Sequence, residues 1–148
     1  MATRHRNGDN ALMDDLTKFM QSLQNAFDSD DLTAVYPFFS LPLIVYSLAG
    51  VTVLRTEDEL LHIAKDYRST LKAHGMVSTT IAVVEQDAKV NRRQRVTVSY
   101  RNLTADGEFV ASTLIRYFLH QRDGALVIEM LEYIEAPLPP EDVVRIAH

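Results

Sequence analysis

The hydrophobic pattern between residues 93 and 135 predicts three long antiparallel strands joined by two tight turns. Residues 95–100 alternate apolar with polar side chains, which is typical of a strand with one buried face. Residues 109–120 are rich in Val, Thr, Ile, Tyr and Phe, and residues 125–135 form the third stretch. Asp106-Gly107 and Asp123-Gly124 separate these stretches, and Asp-Gly is a strong hairpin signal because glycine tolerates positive φ angles. Strands of this length can form the main sheet of a domain.

The first part of the chain follows a helical period instead. Residues 10–28 predict a helix whose N-cap is Asp9 or Asn10. Its large apolar side chains recur at three- and four-residue steps, so they lie on one face. They are Leu12, Leu16, Phe19, Leu23 and Phe27. This face is expected to pack against the sheet.

Two further helices and a small hairpin are predicted between residues 30 and 75. Asp30 is the expected cap of a short helix that Pro37 limits to one or two turns. Residues 43–47 and 51–55 then form a small hairpin. Thr56 and Glu59 have the spacing of a capping box, which predicts a third helix that ends at Gly75. A further strand is expected within residues 76–90. Because the helices precede most of the strands, the order favours an α+β fold with helices on one face of the sheet.

Composition limits the class of protein. The chain has 148 residues, which suits one domain, here residues 10–136 with tails at 1–9 and 137–148. The formal net charge of −5 argues against nucleic acid and anionic membranes as partners. The absence of cysteine excludes a disulfide framework, a thiolate metal site and a cysteine nucleophile. No signal peptide or membrane span is apparent, so we expect a cytoplasmic protein.

The order of elements resembles that of the nuclear-transport-factor-2-like superfamily, which has a cystatin-like fold. The resemblance covers residues 12–135 and rests on Asp31-Leu32, on Gly50, and on Tyr100 followed by the two Asp-Gly turns. That superfamily includes SnoaL-like polyketide cyclases, steroid Δ-isomerases and many proteins without known activity. The resemblance implies a curved, mixed and mostly antiparallel sheet around three N-terminal helices, which together make a cone-shaped α+β barrel with a cavity. It also implies a homodimer formed through the outer face of the sheet.

Alignment with the steroid isomerases excludes their reaction. Leu23 takes the place of their oxyanion-hole tyrosine, Ser47 that of the proton-abstracting aspartate, and Arg116 that of the protonated acid. That chemistry needs a carboxylate base and two hydrogen-bond donors. None of these roles is retained, so steroid isomerisation is not expected.

The same alignment predicts which side chains face the cavity. They are Val96, Val98 and Tyr100, then Arg116, Phe118 and His120, then Glu129, Leu131 and Tyr133. A hairpin tip at residues 122–123 also sets Arg116 opposite Glu129, close enough for an ion pair. The pair either orients a polar group of a ligand or only neutralises itself at a wet sheet surface.

These placements give the candidate site. We predict that the residues that bind a ligand are Tyr46, Tyr67, Val98, Tyr100, Arg116, Phe118, Glu129, Leu131 and Tyr133. For an enzyme, the catalytic candidates are His120, Glu129 and Arg116. No two histidines have the spacing of a helical metal site, so we expect no metal and no cofactor.

The opposite face of the strands is predicted to be apolar as well. It is expected to carry Ala111, Thr113, Ile115, Tyr117, Leu119, Ile128, Met130 and Ile134. A monomer rarely exposes so large an apolar surface, which predicts a homodimer through this face.

Three classes of function remain open. The first is a homodimeric binding domain with a small apolar ligand in the cone. The second is a cofactor-independent acid–base enzyme of the polyketide cyclase, hydratase or isomerase type. The third is an association module without a ligand.

Overall fold

The computed structural model describes the backbone of residues 2–136 and the side chains of residues 15–136. Helix α1 spans Ala2–Asp28, so it begins before the predicted start at Asn10. No proline interrupts the sequence there, and a single glycine weakens a helix without ending it. Leu16, Met20 and Leu23 are buried on its apolar face. Asp9 and Asn10 lie inside this helix, so the predicted cap was wrong. The predicted contribution of the Leu12 side chain and the predicted tail at 137–148 lie outside the described part.

The short second helix is a 3₁₀ helix, Leu32–Phe38, and its cap is Asp31 rather than Asp30. The Asp31 carboxylate accepts hydrogen bonds from the Thr33 backbone N–H at 3.0 Å and from its hydroxyl at 2.6 Å. Pro37 lies inside this helix, which ends one residue later, as expected from the missing N–H of proline.

Helix α2, Glu57–Ala73, confirms the predicted capping box. The Thr56 side chain accepts a hydrogen bond from the Glu59 N–H at 3.1 Å, and the Glu59 carboxylate reaches back to the Arg55 N–H at 2.8 Å. Gly75 has a φ angle of +82°, a left-handed conformation that suits the end of a helix. No helix in the described residues is long and apolar enough to cross a bilayer.

Six strands form one mixed, mostly antiparallel and curved sheet, which confirms the α+β class. Their order is β2-β1-β6-β5-β4-β3, and only the pairing of β1 with β6 is parallel. The sheet is open, with β2 and β3 at its edges, so it is not a closed barrel. The strands are β1 (Phe39–Ser47), β2 (Gly50–Leu54), β3 (Ser78–Gln86), β4 (Arg93–Leu103), β5 (Phe109–Arg122) and β6 (Ala125–Glu135). The main core lies between the helices and one face of this sheet, which we call the inner face.

The predicted orientation of β5 was wrong. Ile115 and Tyr117 lie on the inner face, opposite Val98 and Val96 of β4. Buried and partly buried residues alternate along β5. The buried residues, which lie on the inner face, are Thr113, Ile115, Tyr117 and Leu119. Arg116, Phe118 and His120 therefore face away from the helices.

A β-bulge in β6 also changes which residues of β6 lie on the inner face. Phe118 pairs with Met130, whereas the next residue of β5, Leu119, pairs with Ile128, which leaves Glu129 as the extra residue. One inserted residue changes which side chains share a face, because the side-chain period of a strand is two. Ile128 is consequently buried in the core and does not contribute to the outer face as predicted.

Candidate functional site

A cavity of about 170 Å³ lies between the helices and the inner face of the sheet. Apolar side chains from α1, α2, β1 and β2 form most of its wall. Strands β4, β5 and β6 supply half of its polar side chains, and the other half come from α1, α2, β1, β2 and β3. Residues that border the cavity include Leu23, Phe27, Leu54, Ile63, Ala64, Tyr67, Thr79, Tyr100, Asn102, Thr113, Ile115, Tyr117, Leu131 and Tyr133.

Four of the predicted ligand-binding residues border this cavity. Tyr67 comes from α2, Tyr100 from β4, and Leu131 and Tyr133 from β6. Val98 is fully buried in the core beside them without bordering the cavity. The positions of Tyr100, Leu131 and Tyr133 follow from the correct assignment of the inner faces of β4 and of the second half of β6.

The other predicted site residues lie elsewhere. Tyr46 is 41% exposed, because it alternates along β1 with Val45 and Ser47, which border the cavity. Arg116 and Phe118 do not border the cavity, since the orientation of β5 directs them outward. The predicted ion pair between Arg116 and Glu129 is replaced by one between Arg116 and Glu132, at 3.0 Å.

Glu129 and His120 form part of a charged cluster outside the cavity. The Glu129 carboxylate accepts two hydrogen bonds from Arg93, at 3.1 and 3.2 Å, and lies 2.9 Å from His120 Nδ1. Arg122 Nη2 lies 3.5 Å from the same carboxylate. The hydrogen bond from Arg93 is the main cause that lowers the pKa of Glu129. The three catalytic candidates, His120, Glu129 and Arg116, are thus kept out of the cavity.

Two tyrosines on neighbouring strands form a hydrogen-bonded pair in the cavity wall. The hydroxyl oxygens of Tyr100 and Tyr117 are 2.6 Å apart, and both residues are buried. We refer to them as the tyrosine pair. Burial raises the pKa of both phenols, so both are neutral at physiological pH.

A second group of polar side chains, which we call the hydroxyl relay, borders the same cavity. Thr79 donates to Asn102 Oδ1 at 3.2 Å, and Asn102 Nδ2 donates to Thr113 Oγ1 at 2.9 Å and to the Ala111 carbonyl at 3.1 Å. The Tyr67 hydroxyl lies close to those of Thr113 and Tyr133, since both affect its pKa. The relay thus consists of Thr79, Asn102, Thr113, Tyr67 and Tyr133.

Both tyrosines of the relay also remain protonated at neutral pH. Burial raises the pKa of Tyr67 well above its ordinary value and that of Tyr133 to about 12. None of the described residues that border the cavity is an Asp, Glu, His, Lys or Arg. The site can therefore donate and accept hydrogen bonds from neutral groups, but its described wall supplies no strong base and no cation.

The polar residues of the site that sequence reasoning missed include Asn102, Thr113 and Tyr117. Asn102 could have been identified from the sequence, because an asparagine in the interior of a predicted strand needs hydrogen-bond partners when it is buried. Thr113 and Tyr117 were assigned to the wrong face of β5. Of the three positions aligned with steroid isomerase catalytic residues, Leu23 and Ser47 border the cavity and Arg116 does not.

No metal site is formed by the described residues, among which no group of three or more His, Cys, Asp or Glu side chains is suitably placed. Among the histidines, His62 pairs with Asp66 at 3.2 Å, and the His74 ring contacts the Thr70 carbonyl at 2.9 Å.

Comparison with known proteins identifies the fold. The family model described as NTF2-like protein (DUF6841) matches residues 12–130. A domain of unknown function with a cystatin-like fold from Nostoc punctiforme has a TM-score of 0.65 at 16% identity, over 90% of this chain and 82% of that one. An NTF-2 like protein of unknown function from Shewanella oneidensis has a TM-score of 0.61 at 15% identity, over 81% and 96% of the two chains.

A ketosteroid isomerase-like protein from Erwinia carotovora atroseptica is similar as well, with a TM-score of 0.55 at 14% identity, over 80% of this chain and 93% of that one. No curated protein matches the sequence. At these identities the similarity establishes a common fold, and the residues of the cavity have to be interpreted on their own chemistry.

Proposed function

Because the chain belongs to the NTF2-like family DUF6841, we propose that it is a binding domain for a small, largely apolar molecule held between its helices and its curved sheet. This proposal rests on the cavity of about 170 Å³, whose wall is mostly aliphatic and aromatic and includes neutral polar groups. Small-molecule sites in proteins commonly combine an apolar wall with a few placed hydrogen-bonding groups.

The volume restricts the size of the ligand. An apolar cavity of roughly 150 Å³ is known to admit benzene, whereas sites for drug-sized ligands span roughly 300–1,000 Å³. The cavity described here is near the lower value. A ligand with one ring, or an aliphatic chain of similar bulk, is therefore favoured.

The chemistry of the wall favours binding over acid–base catalysis. A general base has to lie within hydrogen-bond reach of the proton that it removes. His120 and Glu129 hydrogen-bond each other outside the cavity, and the tyrosines that border it are neutral at physiological pH. A cyclase, hydratase or isomerase would need a base that the described wall does not supply.

The cavity also supports the binding proposal over an association module. A domain that serves only to associate gains stability when side chains fill its interior, since each void costs packing energy. Here Gln24, Asn102 and Thr113 are buried polar residues that border a cavity which the surrounding side chains do not fill. Maintaining polar groups beside a void is expected of a site that receives a ligand.

We also propose a homodimer, based on a set of residues that differs from the predicted one. Leu114, Phe118 and Met130 face away from the cavity and are only partly buried, and the Arg116–Glu132 pair lies among them. A two-fold pairing of this outer face would cover the apolar side chains together with the paired charges of Arg116 and Glu132.

Binding is tested by filling the cavity. Ala64 borders it, whereas Ala73 is exposed on the same helix, so Ala64→Phe and Ala73→Phe form a matched pair. Binding of toluene and ethylbenzene is followed by ligand-observed NMR. The wild type and Ala73→Phe are expected to bind, and Ala64→Phe to bind at least about 10-fold more weakly.

Absence of binding to the wild type at millimolar concentrations of both hydrocarbons would contradict the proposal. Native mass spectrometry of the purified protein provides an independent measurement, because a ligand retained during purification adds a defined mass to the wild type and to Ala73→Phe but not to Ala64→Phe.

A further inference from the structure

Aromatic side chains gather at the cavity rather than in the close-packed part of the core. Of the six phenylalanines and six tyrosines in the chain, half border the cavity. The largest side chains that are less than 2% exposed include Met20, Leu119 and Ile128, and none of them is aromatic. Filling a core is the ordinary use of an aromatic ring, and here the rings line a void instead.

The rings surround the cavity, because each of them comes from a different element. They are Phe27 of α1, Phe39 of β1, Tyr67 of α2, Tyr100 of β4, Tyr117 of β5 and Tyr133 of β6. A ligand in the cavity would therefore meet aromatic rings on the side of the helices and on the side of the sheet.

Three of these rings contact one another in a row, which we call the aromatic ladder. Tyr67 lies between Phe27 and Tyr133, with ring centroids 6.1 Å apart in both pairs and interplanar angles of 56° and 53°. Tilted rings at this distance attract each other beyond the burial of their surface, because the positive edge of one ring approaches the negative face of the next. The ladder shows that ring–ring contacts form part of the cavity wall.

The other three rings have no aromatic neighbour. Phe39, Tyr100 and Tyr117 make no ring–ring contact with any aromatic residue in the part of the chain that the structure describes. All three border the same cavity. A planar ring placed in the cavity would supply the edge-to-face contacts that these three side chains lack.

A cation is another ligand that aromatic rings attract. At this site it would be buried without a counter-charge, because no Asp or Glu of the described residues borders the cavity. A neutral ring avoids that cost.

We infer that the ligand of this cavity carries a neutral aromatic ring, which packs by edge and face contacts against the rings of the wall. This inference deepens the proposed function and rests on it. An aliphatic group of the same bulk would bury a similar apolar surface but would gain no ring–ring attraction. The cavity therefore selects for aromaticity as well as for size.

The test compares toluene with methylcyclohexane, two probes that each carry one six-membered ring and one methyl group. Phe27→Leu and Phe39→Leu each remove one ring from the cavity wall. Phe38→Leu is the matched control, because Phe38 pairs with Phe19 at 5.4 Å and does not border the cavity. Dissociation constants of both probes are measured by ligand-observed NMR for the wild type and the three variants.

The preference is the ratio of the two dissociation constants, and comparing it between variants cancels the different solubilities of the probes in water. Each cavity variant is expected to lower the preference for toluene by roughly 2- to 10-fold, the effect of one aromatic contact. Phe38→Leu is expected to leave the preference unchanged.

A preference that equals that of the wild type in both cavity variants would overturn the inference, and so would tighter binding of tetramethylammonium than of toluene. If both probes bind and the preference does not change, only the aromatic inference fails, since a cavity that admits either probe agrees with the proposed function. If neither probe binds the wild type, the proposed function fails too.

A measurement on the wild type alone guards against variants that do not fold. Hexadecane contains no rings, so partition from water into hexadecane gives the preference of an apolar environment without aromatic contacts. The protein is expected to favour toluene over methylcyclohexane roughly 2- to 10-fold more than hexadecane does. Equal preferences in the protein and in hexadecane would overturn the inference.

Discussion

The hydroxyl oxygens of Tyr100 and Tyr117 lie 2.6 Å apart in the cavity wall, although Tyr100 is paired across the sheet with Thr113 and Tyr117 with Val96. The two side chains lean towards each other along adjacent strands. A buried phenol usually needs a partner, and here each supplies it for the other.

Alkaline pH is expected to unfold the protein through these buried phenols. Burial raises the pKa of Tyr133 to about 12, whereas a tyrosine in the unfolded chain ionises near pH 10. The resulting stabilisation is complete below pH 10 and is lost as the pH rises from about 10 to about 12, which amounts to roughly 2–3 kcal/mol for Tyr133. Phenolate absorbance near 295 nm is measured together with circular dichroism. Full ionisation of all six tyrosines in a protein with native circular dichroism would contradict this prediction.

Asn102→Asp is expected to destabilise the fold in a pH-dependent way. Asn102 is 3% exposed, and its Nδ2 donates to the Ala111 carbonyl and to Thr113. An aspartate would place a carboxylate oxygen against a carbonyl, so its ionised form is disfavoured and its pKa is raised. The penalty is then small at pH 4 and about 2–3 kcal/mol at pH 7. Urea unfolding at both pH values measures it. The exposed Asn91→Asp is the control, and an equal loss at both pH values would argue against a buried carboxylate.

Glu129→Gln and Glu132→Gln are expected to differ in the free energy of unfolding. Glu129 interacts with Arg93, His120 and Arg122, whereas Glu132 pairs with Arg116. At pH 7 we expect losses of about 1 kcal/mol for the first variant and a few tenths for the second.

The two variants are also expected to differ in their response to pH. The hydrogen bond from Arg93 lowers the pKa of Glu129 from its ordinary 4.5, so its stabilisation is present above that pH and is lost as the pH falls further. The difference between wild type and Glu129→Gln therefore shrinks at pH 3.5 in urea titrations. A constant difference would mean that the carboxylate charge contributes nothing.

The proposed homodimer is tested by a charge in its apolar face. Phe118 lies on the outer face of β5 opposite Met130, whereas Phe109 is 52% exposed at the start of the same strand. Phe118→Lys is expected to convert a dimer into a monomer, because it would bury an unpaired charge. Phe109→Lys serves as the control and is expected to remain dimeric. Light scattering at micromolar concentration measures the mass, and a monomeric wild type would refute the dimer.

The local elements were predictable because short-range chemistry specifies them. The capping box at Thr56 and Glu59 fixed the start of α2, and the Asp-Gly pairs fixed the positions of both long hairpins. Asp123 and Gly124 have φ angles of +53° and +82°, which agrees with a two-residue turn at these two positions. The predicted tip at residues 122–123 was one residue early, although the Asp-Gly pair already indicated the correct one.

The ion pairs of the sheet were not predictable in the same way. The shifted turn and the bulge at Glu129 together place Arg116 opposite Glu132 rather than Glu129. Nothing in the residues around Glu129 marks a bulge, because Val127, Ile128 and Met130 suit a continuous strand equally well. The bulge therefore appears only when the strand pairs with β5.

The sequence by itself determined the type and order of most elements and, where no bulge interrupts a strand, its two sets of side chains, since these depend on local propensity and on a period of two. Which set of β5 faces the helices was decided only by the tertiary structure. Both sets contain large apolar residues, Ile115 and Tyr117 on one side and Leu114 and Phe118 on the other, so alternation alone could not choose. The packing of the helices against the sheet made that choice, and it placed Tyr117 and Thr113 in the cavity wall and Arg116 outside it.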